Sequence, residues 1–290
     1  NSRALVGKDT YGGAHYLFSK ALPNWGVNVS ILDSTNTIEF EEEIRKGCDL
    51  VYLESPSNPL LKIQDIKKIA QVAHEAGAIV VIDNTVATPI NQNPIELGVD
   101  VVIHSATKFL GGHADALGGI ACTSKDIEKR LLEQREIFGA CLDPMSAYLI
   151  NRGLRTLDLR LERHNKNAMS LAQWLDAHPN ISQVFYPGLP NCEGHALATA
   201  QMKNYGGLLS FVIKGGHDRQ ISFFNTLKTT VMAATLGSVE TMVGTPSTTS
   251  HVECTVEERK TLGIPNNLVR CSVGLEPIDD IIADFEQALR

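Results

Sequence analysis

The sequence lacks any long apolar run, and none of its stretches approaches the roughly 18 residues that a membrane span needs. It also lacks an excess of basic residues, since 26 Lys and Arg face 33 Asp and Glu and leave a net charge of -7. A protein that grips a nucleic-acid backbone needs a basic balance or a basic patch. We therefore expect neither a membrane nor a nucleic acid among its partners.

The six cysteines lack any pairing pattern. They are spread along the chain without a Cys-x-x-Cys pair, and no His/Cys set has zinc-finger spacing. Scattered thiols are typical of a reduced cytosolic protein, so we expect a cytoplasmic location and no metal site. A catalytic cysteine is the alternative, but no local motif supports one. The sequence also contains no Walker-type phosphate loop and no G-x-S-x-G motif.

Composition places the chain among globular proteins. Apolar residues make up 43% of its 290 residues, charged residues 20% and aromatic residues 6%, which suits neither a disordered chain nor a coiled coil. At about 150 residues per domain, this length predicts two domains. The first residue is Asn1, and no signal-peptide pattern follows it. We interpret the start as processed or as internal to a longer chain.

Three short apolar runs each end at polar residues. They cover residues 48–53, 78–82 and 99–103, and their length and content are typical of buried parallel strands. Between the first two, residues 63–76 carry apolar side chains at helical spacing, and Gly77 follows as a helix stop. A repeated strand–helix–strand order predicts a doubly wound α/β sheet.

The pattern changes near residues 150–160. A helical stretch over 146–163, broken near Gly153, is followed by a second helix over 168–177. Residues 208–213 and 268–273 alternate as expected for a smaller, half-exposed sheet. We therefore predict a large, mostly parallel α/β domain over 1–153, incomplete at its N-terminus, and a smaller α+β domain over 154–290.

Two charged residues stand at predicted strand ends, where ligands gather in open parallel sheets. Lys108 stands at such a strand exit, and a lysine there can form a Schiff base with a carbonyl group if its surroundings lower its pKa. Asp83 follows five apolar residues, and a carboxylate buried there needs a cationic or donating partner. A lysine and an aspartate are the two protein partners of pyridoxal 5′-phosphate (PLP). The alternatives are a surface lysine beside a helix cap and a capping aspartate.

Two further residues suit a flat cofactor and an anionic substrate. Tyr11 lies in a glycine-flanked turn, where its ring can stack on a cofactor or simply anchor the turn. Arg270 lies between apolar neighbours, and a bidentate guanidinium suits a substrate carboxylate. A structural ion pair is the alternative for this arginine.

At this point the residues resemble a known family. Segment 105–115, SATKFLGGHAD, is similar to the lysine signature of the PLP-dependent enzymes of cysteine and methionine metabolism. These include cystathionine γ-synthase, cystathionine γ-lyase, methionine γ-lyase and the O-acetylhomoserine sulfhydrylases. The order and spacing of further segments extend the resemblance over essentially the whole chain. These segments are DTYGG (9–13), ESPSNP (54–59), VIDNT (81–85), NRGLRTLDLRLERH (151–164), YPGLP (186–190), ATLGSVET (234–241) and LVRCSVGLE (268–276).

The resemblance implies the PLP-dependent transferase fold of type I and a set of cofactor-binding residues. Lys108 matches the lysine that carries the cofactor and shuttles protons. Asp83 matches the partner of the pyridine nitrogen. Ser105 and Thr107 match phosphate ligands, and Asn58 matches an asparagine near the phenolic oxygen.

Three further roles are implied in the same way. Tyr11 matches a tyrosine that stacks on the cofactor ring and assists the leaving group. Arg270 matches the arginine that binds the substrate carboxylate. Thr235 lies where the family commonly has a serine near that lysine and carboxylate.

Two departures from the family pattern stand out. Members carry an N-terminal segment ahead of the point where this chain starts, with a Tyr-x-Arg arm that reaches the phosphate site of a neighbouring subunit. That sharing implies a homo-oligomer, a dimer of dimers in the form of a homotetramer. The second departure concerns the substrate. Gly13 replaces the cysteine typical of methionine γ-lyases, and Ala234 replaces the glutamate common in cystathionine-processing members.

We therefore predict a PLP-dependent carbon–sulfur lyase or transsulfuration transferase. Its substrate is a small sulfur amino acid derived from homoserine, and its reaction is γ-elimination or γ-replacement. The alternatives are an O-acetylhomoserine sulfhydrylase of the same family, a fragment or scaffold without cofactor and activity, and an aminotransferase of the same fold type.

Overall fold

Two β-sheets organise the chain. The computed structural model describes residues 2–249 and 255–290, and Cys254 lies outside them. The strands are β1 Arg3–Gly7, β2 Asn28–Leu32, β3 Leu50–Glu54, β4 Ile79–Asp83, β5 Val101–Ser105, β6 Gly119–Thr123, β7 Ile181–Phe185, β8 Leu208–Ile213, β9 Val231–Met232, β10 Met242–Gly244 and β11 Leu268–Ser272.

The first sheet has six strands in the order β2-β1-β3-β4-β5-β6. All pairs are parallel except β5 with β6, so the predicted mostly parallel sheet is confirmed. The three predicted strands form, but β3, β4 and β5 each end one or two residues later than expected. Glu54, Asp83 and Ser105 are therefore the last residues of strands rather than the first residues of loops. Strands β1, β2 and β6 were not predicted.

Helices cover the sheets and fill the connections. The α-helices are α1 Gly12–Tyr16, α2 Leu22–Asn24, α3 Thr37–Arg45, α4 Ile66–Glu75, α5 Thr88–Asn91, α6 Lys125–Phe138, α7 Pro144–Leu154, α8 Leu157–Asp176, α9 His195–Gln201, α10 Gly216–Thr226, α11 Val256–Thr261 and α12 Ile278–Leu289. A π-helical turn, Leu17–Ala21, joins α1 to α2, and the 3-10 turns are Pro94–Leu97 and Pro246–Thr248. Within the described residues, none of the helices combines the length and apolarity needed to cross a bilayer.

Helix α4 confirms the helix predicted between the first two strands. It starts three residues later than expected because Asp65 caps it, accepting a hydrogen bond from Lys68 N at 3.1 Å. Its apolar face packs into a core with β3 and β4, so the helix lies against the sheet as a crossover connection should.

Helix α8 corrects one prediction. The break expected near Gly153 falls between α7 and α8, but no separate helix covers 168–177, because α8 continues through that segment to Asp176. One buried stripe runs along its whole length. Its members are Leu157, Leu161, Ala168, Leu171, Ala172 and Leu175.

The second sheet corrects another prediction. Its order is β7-β8-β11-β10-β9, and β8 and β11 pair antiparallel. Both strands are buried at every position, so the half-exposed pattern expected for residues 208–213 and 268–273 is wrong. One face packs on α8, α10 and α12. The other face packs on the first half of the chain, where Leu60 contacts the cluster of Val212 and Leu268. The division into domains 1–153 and 154–290 stays a prediction.

Candidate active site

A cavity of about 300 Å³ lies at the carboxyl ends of β3, β4 and β5. The second half of the chain closes it with the loop after β9 and with β11. Seven of the eight residues predicted for the site line it, namely Tyr11, Asn58, Asp83, Ser105, Thr107, Lys108 and Arg270. The eighth, Thr235, contacts Lys108 directly.

Lys108 is linked to the second half of the chain. Its Nζ donates a hydrogen bond to Thr235 Oγ1 at 2.8 Å, across 127 residues of sequence. Burial, with a smaller contribution from the positive charge of Arg270, lowers the pKa of Lys108. A lysine in this setting gives up its proton more readily than an exposed one, which favours the chemical interpretation over a surface lysine.

Asp83 ends β4 and is paired in register with Glu54 at the end of β3. Its Oδ1 accepts a hydrogen bond from Thr85 N at 2.9 Å, so the side chain also makes the turn that was the alternative interpretation. Burial raises the pKa of Asp83, and the hydrogen bonds of Thr85 oppose that rise. An ionised carboxylate here needs a cationic partner within the cavity.

Arg270 is 3% exposed on β11. Its Nη2 donates hydrogen bonds to Thr235 O at 2.9 Å and Ala234 O at 3.4 Å. Burial lowers the pKa of Arg270 to about 10. Within residues 2–249 and 255–290 no carboxylate forms an ion pair with it, so the structural ion pair considered as the alternative is not formed. A buried cation facing a cavity favours an anionic ligand.

Asn58 presents an unmet hydrogen-bonding group. It is 6% exposed, and its Oδ1 is buried with no hydrogen-bond partner among the described residues. Buried polar atoms are normally paired, so this amide lacks a partner that a bound ligand can provide. Tyr11, by contrast, is 52% exposed, and its ring forms part of the cavity wall.

The two predicted phosphate ligands differ in how they are engaged. Thr107 Oγ1 accepts a hydrogen bond from Gly118 N at 3.1 Å and donates one to Gly118 O at 3.4 Å. The backbone N–H of Ser105 donates to Thr85 Oγ1 at 2.8 Å. Thr85 therefore orients both Asp83 and Ser105, and sequence reasoning did not single it out.

Glu54 is the other site residue that sequence reasoning missed. Its Oε2 accepts a hydrogen bond from Tyr11 N at 2.8 Å, and its Oε1 accepts one from Asn58 N at 3.1 Å. Burial, with a further contribution from the charge of Asp83, raises the pKa of Glu54 well above its ordinary value. A carboxylate directly after the apolar run 50–53 was the signal that could have revealed it.

Close packing joins the Thr235 loop to the lysine segment. Gly237 has φ +79, and a Cβ there would lie 2.5 Å from Phe109 N. Only glycine combines that backbone conformation with so close an approach. The loop carrying Ala234, Thr235 and Leu236 is thereby held over Lys108.

The chain was compared with known proteins. The profile of the family described as Cys/Met metabolism PLP-dependent enzyme matches residues 2–290. The L-methionine γ-lyase of Fusobacterium nucleatum subsp. nucleatum is 42% identical over 288 residues, which cover 98% of this chain and 73% of that protein. The cystathionine γ-lyase of Bacillus subtilis is 40% identical over 282 residues, covering 97% and 74%.

Solved structures show the same similarity. Cystathionine γ-synthase from Xanthomonas oryzae pv. oryzae, in complex with cystathionine, superposes with a TM-score of 0.97 at 35% identity and covers 100% of this chain and 75% of that one. Cystathionine γ-lyase from Lactobacillus plantarum, complexed with L-serine, superposes with a TM-score of 0.95 at 34% identity, covering 99% and 75%.

Proposed function

The chain belongs to the Cys/Met metabolism PLP-dependent enzymes, and on that premise we propose that it catalyses γ-elimination or γ-replacement on a sulfur amino acid derived from homoserine. Membership makes it an enzyme that uses pyridoxal 5′-phosphate. The expected fold of type I is confirmed by the superposition on cystathionine γ-synthase.

One observation carries the proposal. Lys108, Asp83 and Arg270 come from three separate elements, yet they line a single cavity of about 300 Å³. An amine with a lowered pKa, a buried carboxylate and a guanidinium without a carboxylate partner among the described residues are the three ionisable groups that this cofactor and an amino-acid substrate require.

The residues of the cavity fit the cofactor. In this proposal Lys108 holds its aldehyde, Asp83 its pyridine nitrogen, and Ser105 and Thr107 its phosphate. The side-chain amide of Asn58 lines the same cavity, and its N–H group would donate to the phenolic oxygen. Tyr11 supplies the exposed ring that stacks on the cofactor face.

Bound PLP supplies an electron sink that stabilises negative charge at the substrate α-carbon. The protein supplies the proton transfers. Because burial lowers its pKa, more of Lys108 is present as the unprotonated amine than for an exposed lysine, and only this amine can take a proton. Its Nζ accepts a proton from the α-carbon, returns it to the bound substrate and cofactor, and then accepts one from the β-carbon. The hydrogen bond to Thr235 Oγ1 holds Nζ in place between these transfers.

The other two groups act on the substrate. Arg270 binds the substrate carboxylate through its guanidinium, whose N–H donors suit a planar anion. Tyr11 assists the departing thiol as the bond between the γ-carbon and sulfur breaks. The chain thereby consumes one water and yields a thiol, ammonia and a 2-oxo acid in elimination, or it yields a new sulfur amino acid when an incoming thiol replaces the leaving group.

The test uses the chain loaded with PLP and offered L-methionine, L-cystathionine or an O-acyl-homoserine with a thiol. We expect a visible absorption band, borohydride labelling on Lys108, and release of ammonia with a 2-oxo acid or formation of a new thioether. Lys108→Ala should lose labelling and turnover, while Lys67→Ala on the exposed face of α4 keeps both. Full activity in Lys108→Ala contradicts the proposal, and a requirement for an amino acceptor indicates transamination instead.

We further propose that the chain works as a homo-oligomer, a dimer of dimers, in the cytoplasm. An unburied helix supports the oligomer: α6 has no buried residue, and Ile137 and Phe138 at its end are 80% and 78% exposed. Cys48, Cys122, Cys141, Cys192 and Cys271 are all free thiols, which supports a reducing compartment.

A further inference from the structure

Among the residues that the structure describes, Glu54 is the one buried carboxylate of the cavity to which the proposed mechanism assigns no role. It is 4% exposed, and burying a carboxylate is costly unless specific donors compensate for it. Its compensation comes from two backbone N–H groups, one from Tyr11 at 2.8 Å and one from Asn58 at 3.1 Å.

Those two N–H groups belong to different segments. Tyr11 precedes α1, whereas Asn58 lies in the loop that follows β3. Each oxygen of Glu54 accepts one of them, so the carboxylate bridges the two segments at the residues whose side chains line the cavity.

A second contact ties the same two segments together. Lys62 Nζ lies 2.9 Å from Asp9 Oδ1 and 3.0 Å from Asp9 Oδ2. That ion pair already joins the turn before Tyr11 to the loop after Asn58. A general need to hold the segments together therefore does not explain a further buried carboxyl group beside Asp83. The placement of this carboxyl group does, because it accepts hydrogen bonds from Tyr11 and Asn58 themselves.

We propose that Glu54 is a positioning residue of the active site, whose carboxylate fixes the backbone of Tyr11 and of Asn58 and so holds both side chains for the cofactor. This inference rests on the proposed function, which assigns Tyr11 to the cofactor ring and Asn58 to its phenolic oxygen. Glu54 itself touches neither cofactor nor substrate in this scheme.

The test compares the wild type with Glu54→Gln, which keeps the shape but leaves one oxygen acceptor for two N–H groups. We expect PLP, titrated by absorbance, to bind about 10-fold more weakly, since one of the two buried N–H groups loses its acceptor. We also expect the visible circular dichroism of bound PLP to change, because Tyr11 and Asn58 no longer hold the ring in one orientation.

Asp100→Asn is the matched control. Asp100 also accepts a backbone hydrogen bond within the same sheet, from Val80 N at 2.7 Å, but at the opposite end of the strands. The Asp100→Asn variant should be less stable against urea than the wild type, but its PLP affinity and the dichroism of bound PLP should be unchanged. Equal effects of the two substitutions on PLP binding would reduce Glu54 to a structural role and overturn the inference.

A second variant keeps the inference testable if Glu54→Gln does not fold. Glu54→Asp retains two acceptor oxygens, but its shorter side chain reaches Tyr11 N and Asn58 N less well. We therefore expect this variant to bind PLP more weakly than the wild type and to show an altered dichroism of bound PLP. Wild-type affinity and dichroism in a folded Glu54 variant contradict the inference while leaving the proposed function intact. A wild-type chain that binds no PLP at all overturns the proposed function and this role with it.

Discussion

At the scale of single residues, burial sets the chemistry of the cavity. It lowers the pKa values of Lys108 and Arg270 and raises those of Asp83 and Glu54. The two cations and the two carboxylates are thus all shifted toward their neutral forms. A bound ligand that brings a cation to Asp83 and an anion to Arg270 favours the ionised forms of these two groups.

Arg270 should control substrate affinity rather than cofactor affinity. We expect Arg270→Lys to raise KM for the amino acid at least about 10-fold, because lysine keeps the charge but loses the fork of donors that suits a carboxylate. Steady-state kinetics measures KM, and an absorbance titration measures PLP binding, which should stay unchanged. A larger loss in PLP binding than in KM would place Arg270 at the cofactor instead.

His104 should make the stability depend on pH. Burial lowers the pKa of His104 to about 4, and its Nδ1 is buried with no hydrogen-bond partner in the described part of the chain. As the pH falls from about 6.5 to about 4, the imidazole of His104 takes up a proton in the unfolded chain but not in the folded chain. The contribution of His104 to stability is therefore complete above this range and is lost as the pH falls through it.

The check is urea unfolding of the wild type and His104→Gln at pH 7 and pH 5. Glutamine does not titrate, so the variant should lose about 2 kcal/mol less free energy of unfolding than the wild type over this interval. Parallel losses in the two proteins would show that His104 is not the titrating group.

At the scale of elements, a long helix holds the segment that carries the reactive lysine. Arg160 on α8 is 5% exposed. Its guanidinium donates to Phe109 O at 2.7 Å, Leu110 O at 3.2 Å and Gly153 O at 2.8 Å. These carbonyl groups belong to the segment directly after Lys108 and to α7, so α8 sets the position of that segment relative to the rest of the chain.

Arg160→Leu should destabilise the chain by about 2 kcal/mol or more, because it leaves buried carbonyl oxygens without donors. It should also slow borohydride labelling of Lys108, since the segment beside the lysine loses its anchor. Urea unfolding and peptide mass spectrometry measure the two effects. Arg163→Leu, on the exposed side of the same helix, should show neither, and a similar effect of both substitutions would argue against the anchoring role.

At the scale of the whole molecule, the apolar surface is unevenly distributed. The segment from α6 to α7 exposes several large apolar side chains, whereas both faces of β8 and β11 are buried. Exposed apolar patches of this kind are typical of protein–protein interfaces. The exposed side chains are Leu131, Leu132, Ile137, Phe138, Leu142, Met145 and Tyr148.

Substitution at this surface should change the oligomeric state. We expect Phe138→Glu to shift the assembly toward smaller species in size-exclusion chromatography with light scattering, because a charge replaces a side chain that is 78% exposed in the single chain. Trp25→Glu is the control, since Trp25 is similarly exposed, at 75%, but lies outside the α6–α7 segment. An unchanged mass for Phe138→Glu contradicts this interface.

Much of the first sheet follows from local pattern. The runs ending near Leu53, Ile82 and Ile103 are short and continuously apolar, and this content is itself the cause of their burial as parallel strands. The strand ends were displaced by up to two residues because the ladder between neighbouring strands continues as far as Glu54, Asp83 and Ser105. No property of the run alone encodes where its neighbour stops.

Other features escaped the sequence because they depend on distant partners. The burial of β8 requires the segment around Leu60, more than a hundred residues earlier, to cover its second face. The bridge that Glu54 makes between Tyr11 and Asn58 likewise requires a turn and a loop to meet. The spacing of residues along the chain does not predict which remote segments come into contact.

The sequence by itself determined the family and the cofactor and predicted Lys108, Asp83 and Arg270 as site residues, because the lysine segment and the apolar runs are patterns of residues that are neighbours along the chain. Only the tertiary structure decided how those residues act together. It sets Lys108 Nζ 2.8 Å from Thr235 Oγ1, leaves Arg270 without a carboxylate among the described residues, and adds Glu54 to the cavity. The physical reason is that protonation and hydrogen bonding depend on burial and on neighbours in space, which folding brings together from remote parts of the chain.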